Sequence, residues 1–310
     1  MATVDTSVVA LYEYKFSQIF ELLAQQREER IVSSFKQGVH TGSQQAQAVK
    51  QVGFLSVTQR TIRLEPIQFI DVPHDDRWVT PKAFDGAVPF DTWDELQTMA
   101  DPKSTYAEAL RASMNRQHDA ECIRAFFETS KTGQLGADTT AFPTGATTGT
   151  PPGGGVVAYN FAASGGSGLT VAKLREARRA LLANEVDLTM EKLHCVSGAT
   201  QLDNLLAEAQ VINRDFNQPD APVLQEGRMT RFLGIEFIHS EQLGLDSTAT
   251  YRTVPVYAGG GMHFGTWAGI ETRITQRNDL RGHPWQIYID AYFGACRLQE
   301  KKVIQVNCVV

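Results

Sequence analysis

The sequence predicts an α+β chain, and three observations carry that reading. Two clean helical stretches, Lys103–Lys131 and Leu169–Ala183, occupy its middle. Short runs of strand character lie on both sides of them, and neither an internal repeat nor a coiled-coil heptad organises the whole. The 310 residues suffice for about two domains of ordinary size, or one large one. With 42% hydrophobic and 21% charged residues the composition is that of a folded protein.

The first element is an amphipathic helix over Ser7–Gln26, where Val8, Leu11, Tyr12, Phe16, Ile19, Phe20 and Leu23 recur at helical spacing. It ends in the charged run Arg27–Arg30, and its apolar face requires a partner surface. Ile31–Pro73 reads as a long two-stranded excursion with a polar, weakly structured tip. Within it Ser43–Gln51 is rich in Gln and Ala, and Gly38, Gly42 and Gly53 punctuate the stretch. Gln59–Val72 has strand character, with Ile62, Leu64, Ile67, Phe69 and Val72 in partial alternation and Pro66 marking an edge or a bulge. An isolated hairpin is marginal in water, so this one needs another surface to lie on.

Asp101 is placed to cap the next helix, with Pro102 at its first position. No Gly or Pro interrupts Lys103–Lys131. Tyr106, Leu110, Met114, Cys122, Ile123, Phe126 and Phe127 mark one side, and Gly133 stops it. At about 1.5 Å per residue it would run about 40 Å, the length of a spine rather than of an ordinary packed helix. Gln134–Gly168 is a Gly/Thr/Pro/Ser-rich loop with one short strand near Val156–Phe161. The helix Leu169–Ala183 has Thr170 as N-cap and Leu174, Ala177, Leu181 and Leu182 on its buried side. From Leu193 onward short strands alternate with one helix, Thr200–Gln210. The end is β-rich, with strands near Thr272–Gln276, Gln286–Tyr292 and Lys302–Val309.

The charge balance, Lys+Arg 29 against Asp+Glu 35, gives a net −6 and argues against coating nucleic acid through its phosphates. The first residues lack a secretory signal pattern, and no run approaches the roughly 20 apolar residues of a membrane span. Cys122, Cys195, Cys296 and Cys308 form no CxxC pair and read as reduced, buried thiols. Gly165–Gly168 precedes a helix but lacks the Lys of a phosphate loop, and Leu169 spoils a nucleophile elbow. His74, Asp75 and Asp76, with Asp71 near, could ligate a divalent ion or act as acid and base; a turn with Arg77 as charge partner competes. His118 and Cys122 stand four apart on the long helix, yet two ligands do not make a site. His194 and Cys195 are adjacent in a strand and point to opposite faces. His239, His263 and His283 share no spacing. No catalytic constellation emerges, and neither a metal nor a cofactor is expected. The arm, hairpin, overlong helix and large loop are instead more extensions than one core can satisfy, which points to an assembling protein.

Several strings in order fit that expectation. They are Asp71–Pro81 (DVPHDDRWVTP), Phe126–Gly133 (FFETSKTG), Leu169–Ala177 (LTVAKLREA), Gln276–Pro284 (QRNDLRGHP) and Arg297–Val303 (RLQEKKV). With their spacing, nearly the whole chain resembles the major capsid proteins of tailed bacteriophages, which share the Hong Kong 97-type capsid fold. The resemblance implies an N-terminal arm (1–30), an extended loop (31–75), a peripheral domain (76–187 and 263–300) around a spine helix (103–131), and an axial domain (188–262 and 301–310). It implies a head protein that self-assembles as hexamers and pentamers into an icosahedral shell enclosing double-stranded DNA. Such a protein has no enzymatic role, belongs to the virion and is assembled in the bacterial host cytoplasm. Lys36, Lys50, Arg60 and Arg63 become candidates for contacts with a neighbour, against the alternative of solvated strand ends. Some relatives crosslink a loop Lys to an Asn; Lys50 lies in a suitable region, but no signal here identifies such chemistry. The implied partners are further copies of the chain, a portal, a scaffolding protein (separate, since no scaffold extension precedes the arm) and decoration proteins. No membrane partner is expected. Two other readings stand beside this one: an encapsulin-like compartment with the same fold, and a metal-dependent hydrolase using His74, Asp75, Asp76 and His118.

Overall fold

The computed structural model describes residues 23–42, 44–64, 66–67, 69–90, 103–144, 155–208, 229–246 and 250–309. The apolar positions Val8 to Phe20 of the expected arm helix, the Asp101–Pro102 helix start and residues 145–154 of the Gly/Pro-rich loop lie outside the described residues.

Before the long helix come β1 (Lys36–Val39), β2 (Ala46–Val52), β3 (His74–Val79) and β4 (Lys82–Phe90). Next follow α1 (Lys103–Phe127), β5 (Ser130–Thr132), β6 (Asp138–Thr140), β7 (Val156–Val157), α2 (Val171–Ala183), β8 (Leu193–Ser197) and α3 (Ala199–Leu206). The chain ends with β9 (Arg231–Phe232), β10 (Ile235–His239), β11 (Tyr251–Ala258), β12 (Met262–Gln276), β13 (Trp285–Arg297) and β14 (Val303–Val309). They form a six-stranded sheet in the order β7-β14-β11-β8-β10-β9 and two four-stranded sheets, β1-β12-β13-β4 and β2-β3-β5-β6. Helices and sheets of both pairing senses make a mixed α+β chain, as the sequence predicts.

Among the described residues the larger of two apolar clusters joins most of the pieces. Phe126 of α1 packs edge-on against Phe35 (5.4 Å between ring centres) and lies 4.6 Å from the ring of Tyr257 on β11. Met262, Phe264 and Phe293 of the long β12–β13 hairpin belong to the same cluster, as do Leu174 and Leu181 of α2. Thr170 caps α2, its side-chain oxygen accepting from the Lys173 N–H. Leu174, Ala177 and Leu181 are buried as expected, but Leu182 is exposed and Lys173 takes a place in the core.

Two further expectations need correction. α1 does not continue to Lys131; it ends at Phe127, about 37 Å from its start at 1.5 Å per residue. Ser130 and Thr132 are instead buried in a strand that pairs with β3 and β6, so ladder hydrogen bonds replace helical ones. Gly133 does not close the helix. It turns the β5–β6 hairpin at φ +75°, where a Cβ would also lie 2.4 Å from Asp138 Oδ2.

Within Ile31–Pro73 the strands are β1, which pairs with β12 of the body, and β2, which pairs with β3 just past Pro73, with Lys50 opposite Asp76 and Val52 opposite His74. The Gln/Ala-rich stretch is therefore a strand: β3 supplies its ladder, while Ala46, Ala48 and Val49 pack with Val79, Cys296, Leu298 and Trp267. Gln59–Val72, expected as a strand, has none among the described residues and forms the tip. Its alternating side chains have no sheet face to lie on, so the pattern alone does not hold a strand. The tip is also apolar rather than polar.

Candidate assembly surface

The strap leading into β1 is held along α1 by one buried carboxylate. Asp119, fully buried, accepts from the backbone N–H of Arg30 (3.0 Å) and of Ile31 (3.0 Å), and from the Gln26 side chain. Burial raises its pKa above the usual carboxylate value, and these hydrogen bonds pull the other way. His118 bonds Glu29 through Nδ1 at 2.9 Å, and Asn115 donates to the Arg27 carbonyl at 2.8 Å. The last residues of the arm thus run in a fixed track beside the spine helix.

Beyond the strap the extended loop leaves the body. Its neck is narrow: the Gly53 N–H donates to the Pro73 carbonyl at 2.7 Å, and a Cβ on Gly53 would sit 2.6 Å from the Pro73 ring. Past the neck Phe54 is 91% and Phe69 97% exposed, with Val57, Ile62, Leu64 and Ile67 also in solvent. So many exposed large apolar side chains gathered in one segment mark an interaction surface.

Lys36 stands on β1, Lys50 on β2, and Arg60 and Arg63 in the tip; all four are exposed. Arg60 turns its Nε to the Ile62 carbonyl at 3.1 Å. The base of the loop is fixed by Arg77, which donates both terminal nitrogens to Glu300 at 2.8 and 2.9 Å and pairs with Asp75 at 3.3 Å. The local Asp75–Arg77 pair was legible in the sequence; the bidentate bond to Glu300, more than two hundred positions away, was not.

The hydrolase set does not come together. His74 is exposed at the start of β3, Asp75 is engaged with Arg77, and Asp76 lies across from Lys50. His118 belongs to α1, packed on the rings of Phe264 and Phe293 at 5.4 and 4.2 Å. Among the described residues no group of three His, Cys, Asp or Glu side chains is placed to hold a metal ion. All four cysteines are buried and unpaired; burial holds their thiols well above the ordinary range, Cys296 and Cys308 at about 12, so none is a nucleophile near neutral pH. No helix among the described residues is long and apolar enough to cross a membrane.

Two buried cations that sequence reasoning missed hold the body around this surface. Arg297, at the end of β13, caps α1 by donating to the carbonyls of Phe126 (2.7 Å) and Glu128 (2.8 Å). Lys173 donates to the carbonyls of Tyr159, Ser167, Gly168 and Asn307 at 2.7–2.9 Å, tying the loop before α2 to β14. Only an unexpected charge inside an apolar stretch could have pointed to either.

A search of curated proteins returned no match to this sequence. Solved structures do match, at low identity. The capsid of the cyanophage P-SCSP1u is similar at 16% identity and a TM-score of 0.69, covering 97% of this chain and 94% of that one. The acid-stable capsid structure of Helicobacter pylori bacteriophage KHP30 is similar at 9% identity and a TM-score of 0.71, over 100% and 98%. The capsid of a native GTA particle is similar at 12% and 0.69, over 100% and 99%. These likenesses establish the Hong Kong 97-type capsid fold. The family model described as phage capsid protein matches residues 8–310. With that match over nearly its whole length, the chain belongs to the phage capsid protein family, and it is a major capsid protein of the virion that self-assembles into the head shell.

Proposed function

We propose that the subunit builds an icosahedral shell as hexamers and pentamers around double-stranded DNA, each extended loop laid across a neighbouring subunit. The observation that carries this is the apolar tip, exposed beyond a neck held by one backbone hydrogen bond. Lys36, Lys50, Arg60 and Arg63 then meet acidic residues of the neighbour. The net charge of −6 suits a container whose contents must move, because a basic lining would grip phosphates.

The division into arm (1–30), loop (31–75), peripheral domain (76–187 and 263–300) and axial domain (188–262 and 301–310) belongs to the same reading. It is supported by the sheets: β8 to β11 and β14 share one, whereas β4, β12 and β13 share another. β7 crosses that division by joining the axial sheet. A portal, a scaffolding protein and decoration proteins complete the assembly, which takes place in the host cytoplasm. The subunit acts without catalysis.

The test is the double variant Phe54→Asp/Phe69→Asp. Both side chains are solvent-exposed, so the subunit should fold with stability within about 0.5 kcal/mol of the parent. Sedimentation should nevertheless show shell yield reduced at least about tenfold, the loss expected when charges enter an apolar contact. Shells at parental yield would sink the loop's role. Parental shells found to contain cargo protein and no DNA would replace the head by an enzyme compartment.

A further inference from the structure

The loop is rooted on β1, which runs parallel to β12 with Lys36 beside His263 and Gly38 beside Gly265. Its continuation is fixed by the His40 N–H, which donates to the Thr266 carbonyl at 2.9 Å. There the imidazoles of His40 and His263 meet, Nε2 to Nε2, at 3.1 Å. The two glycines make the space. A Cβ on Gly38 would lie 2.7 Å from His263 Cε1, and one on Gly265 would lie 2.8 Å from His40 Cδ2. Trp267 backs the His40 ring at 4.9 Å, and His263 is buried.

Two imidazoles at this distance hold one N–H···N bond when neutral or singly protonated; doubly protonated, each presents a donor to a donor. We propose that the pair is a proton-operated latch on the root of the extended loop. With at most one proton it pins β1 to β12, and a second proton drives the rings apart and frees the strand.

The surroundings favour release. Lys36 of β1 adds a further positive charge at His263. Cys296, across from His263 on β13, is a neutral thiol. Among the described residues no carboxylate contributes to the field at His263. Burial first, then the charges of His40 and Lys36, hold the His263 pKa down at about 4, with the Lys36 backbone pulling the other way, and burial lowers that of His40. Both values lie below the ordinary 6.5. The latch is therefore complete above about pH 6.5 and is lost as the pH falls toward 4.

The latch can be tested apart from any contact between subunits. Hydrogen exchange of the full-length protein, corrected for intrinsic rates, is compared at about pH 7.5 and about pH 4.5 over residues 36–40. Opening should rise at least about tenfold on acidification, by less than about threefold in His263→Gln, which removes the buried imidazole, and by an amount between the two in His40→Gln, where burial alone still opposes the charge. No rise in the parent, or an equal rise in the variants, overturns the latch. Should neither variant fold, NMR titration of the parent decides. Two separated steps with the lower near 4 support the latch; two ordinary histidine titrations overturn it.

Discussion

Lys173 stands in the first turn of α2 with its ammonium among four main-chain carbonyls and no exposed surface. Three N–H groups serve four acceptors, so at least one is shared. Nothing in LTVAKLREA reveals this: a Lys beside a helix N-cap reads as surface, and the helical spacing assigns burial to Leu182 instead. The pattern could not count the carbonyls that converge there, because Asn307 reaches the site from the other end of the chain. Lys173→Met keeps the packing volume but leaves those carbonyls without a donor. Its expected cost is about 3 kcal/mol or more, read as a lower Tm in calorimetry of the unassembled subunit.

At the scale of elements, α1 and α2 were legible because a Gly/Pro-free run and a capping Thr are local signals. Where α1 ends was not, since its terminus is set by Arg297 from β13 and by the pairing of β5 with β3 and β6. The loop shows the reverse case. Its apolar alternation was visible in the letters, but the ladder that would turn alternation into a strand is absent from a lone subunit. The strap beside α1 gives a direct test of element-level attachment. Asp119→Ala removes the acceptor for two backbone N–H groups and a Gln side chain. Trypsin should then cut after Arg27 and Arg30 at least about tenfold faster in the folded protein, followed by mass spectrometry, as expected for a segment released to local opening. Equal rates would mean that the track along α1 does not depend on Asp119.

For the whole molecule, the class was legible and so was the surplus of extensions; the assembly surface was legible in place but not in polarity. Lys36, Lys50, Arg60 and Arg63 mark the region, whereas its exposed apolar area belongs to Phe54, Val57, Ile62, Leu64, Ile67 and Phe69. Association through such surfaces couples stability to assembly, because any contact made only by the folded subunit favours it. Calorimetry of intact shells should therefore give a Tm at least about 10 °C above that of the unassembled Phe54→Asp/Phe69→Asp subunit, a gap corresponding to a few kcal/mol per chain. Coincident melting would mean that the shell adds little to the fold. The Gly53–Pro73 neck sets the geometry in which this happens. Its single rung is the last registered point between loop and body, so the tip is positioned by an angle at one pivot rather than by a sliding register. A subunit jointed in this way can present one unchanged set of apolar side chains at different tilts, which lets identical chains close a curved surface without altering their cores.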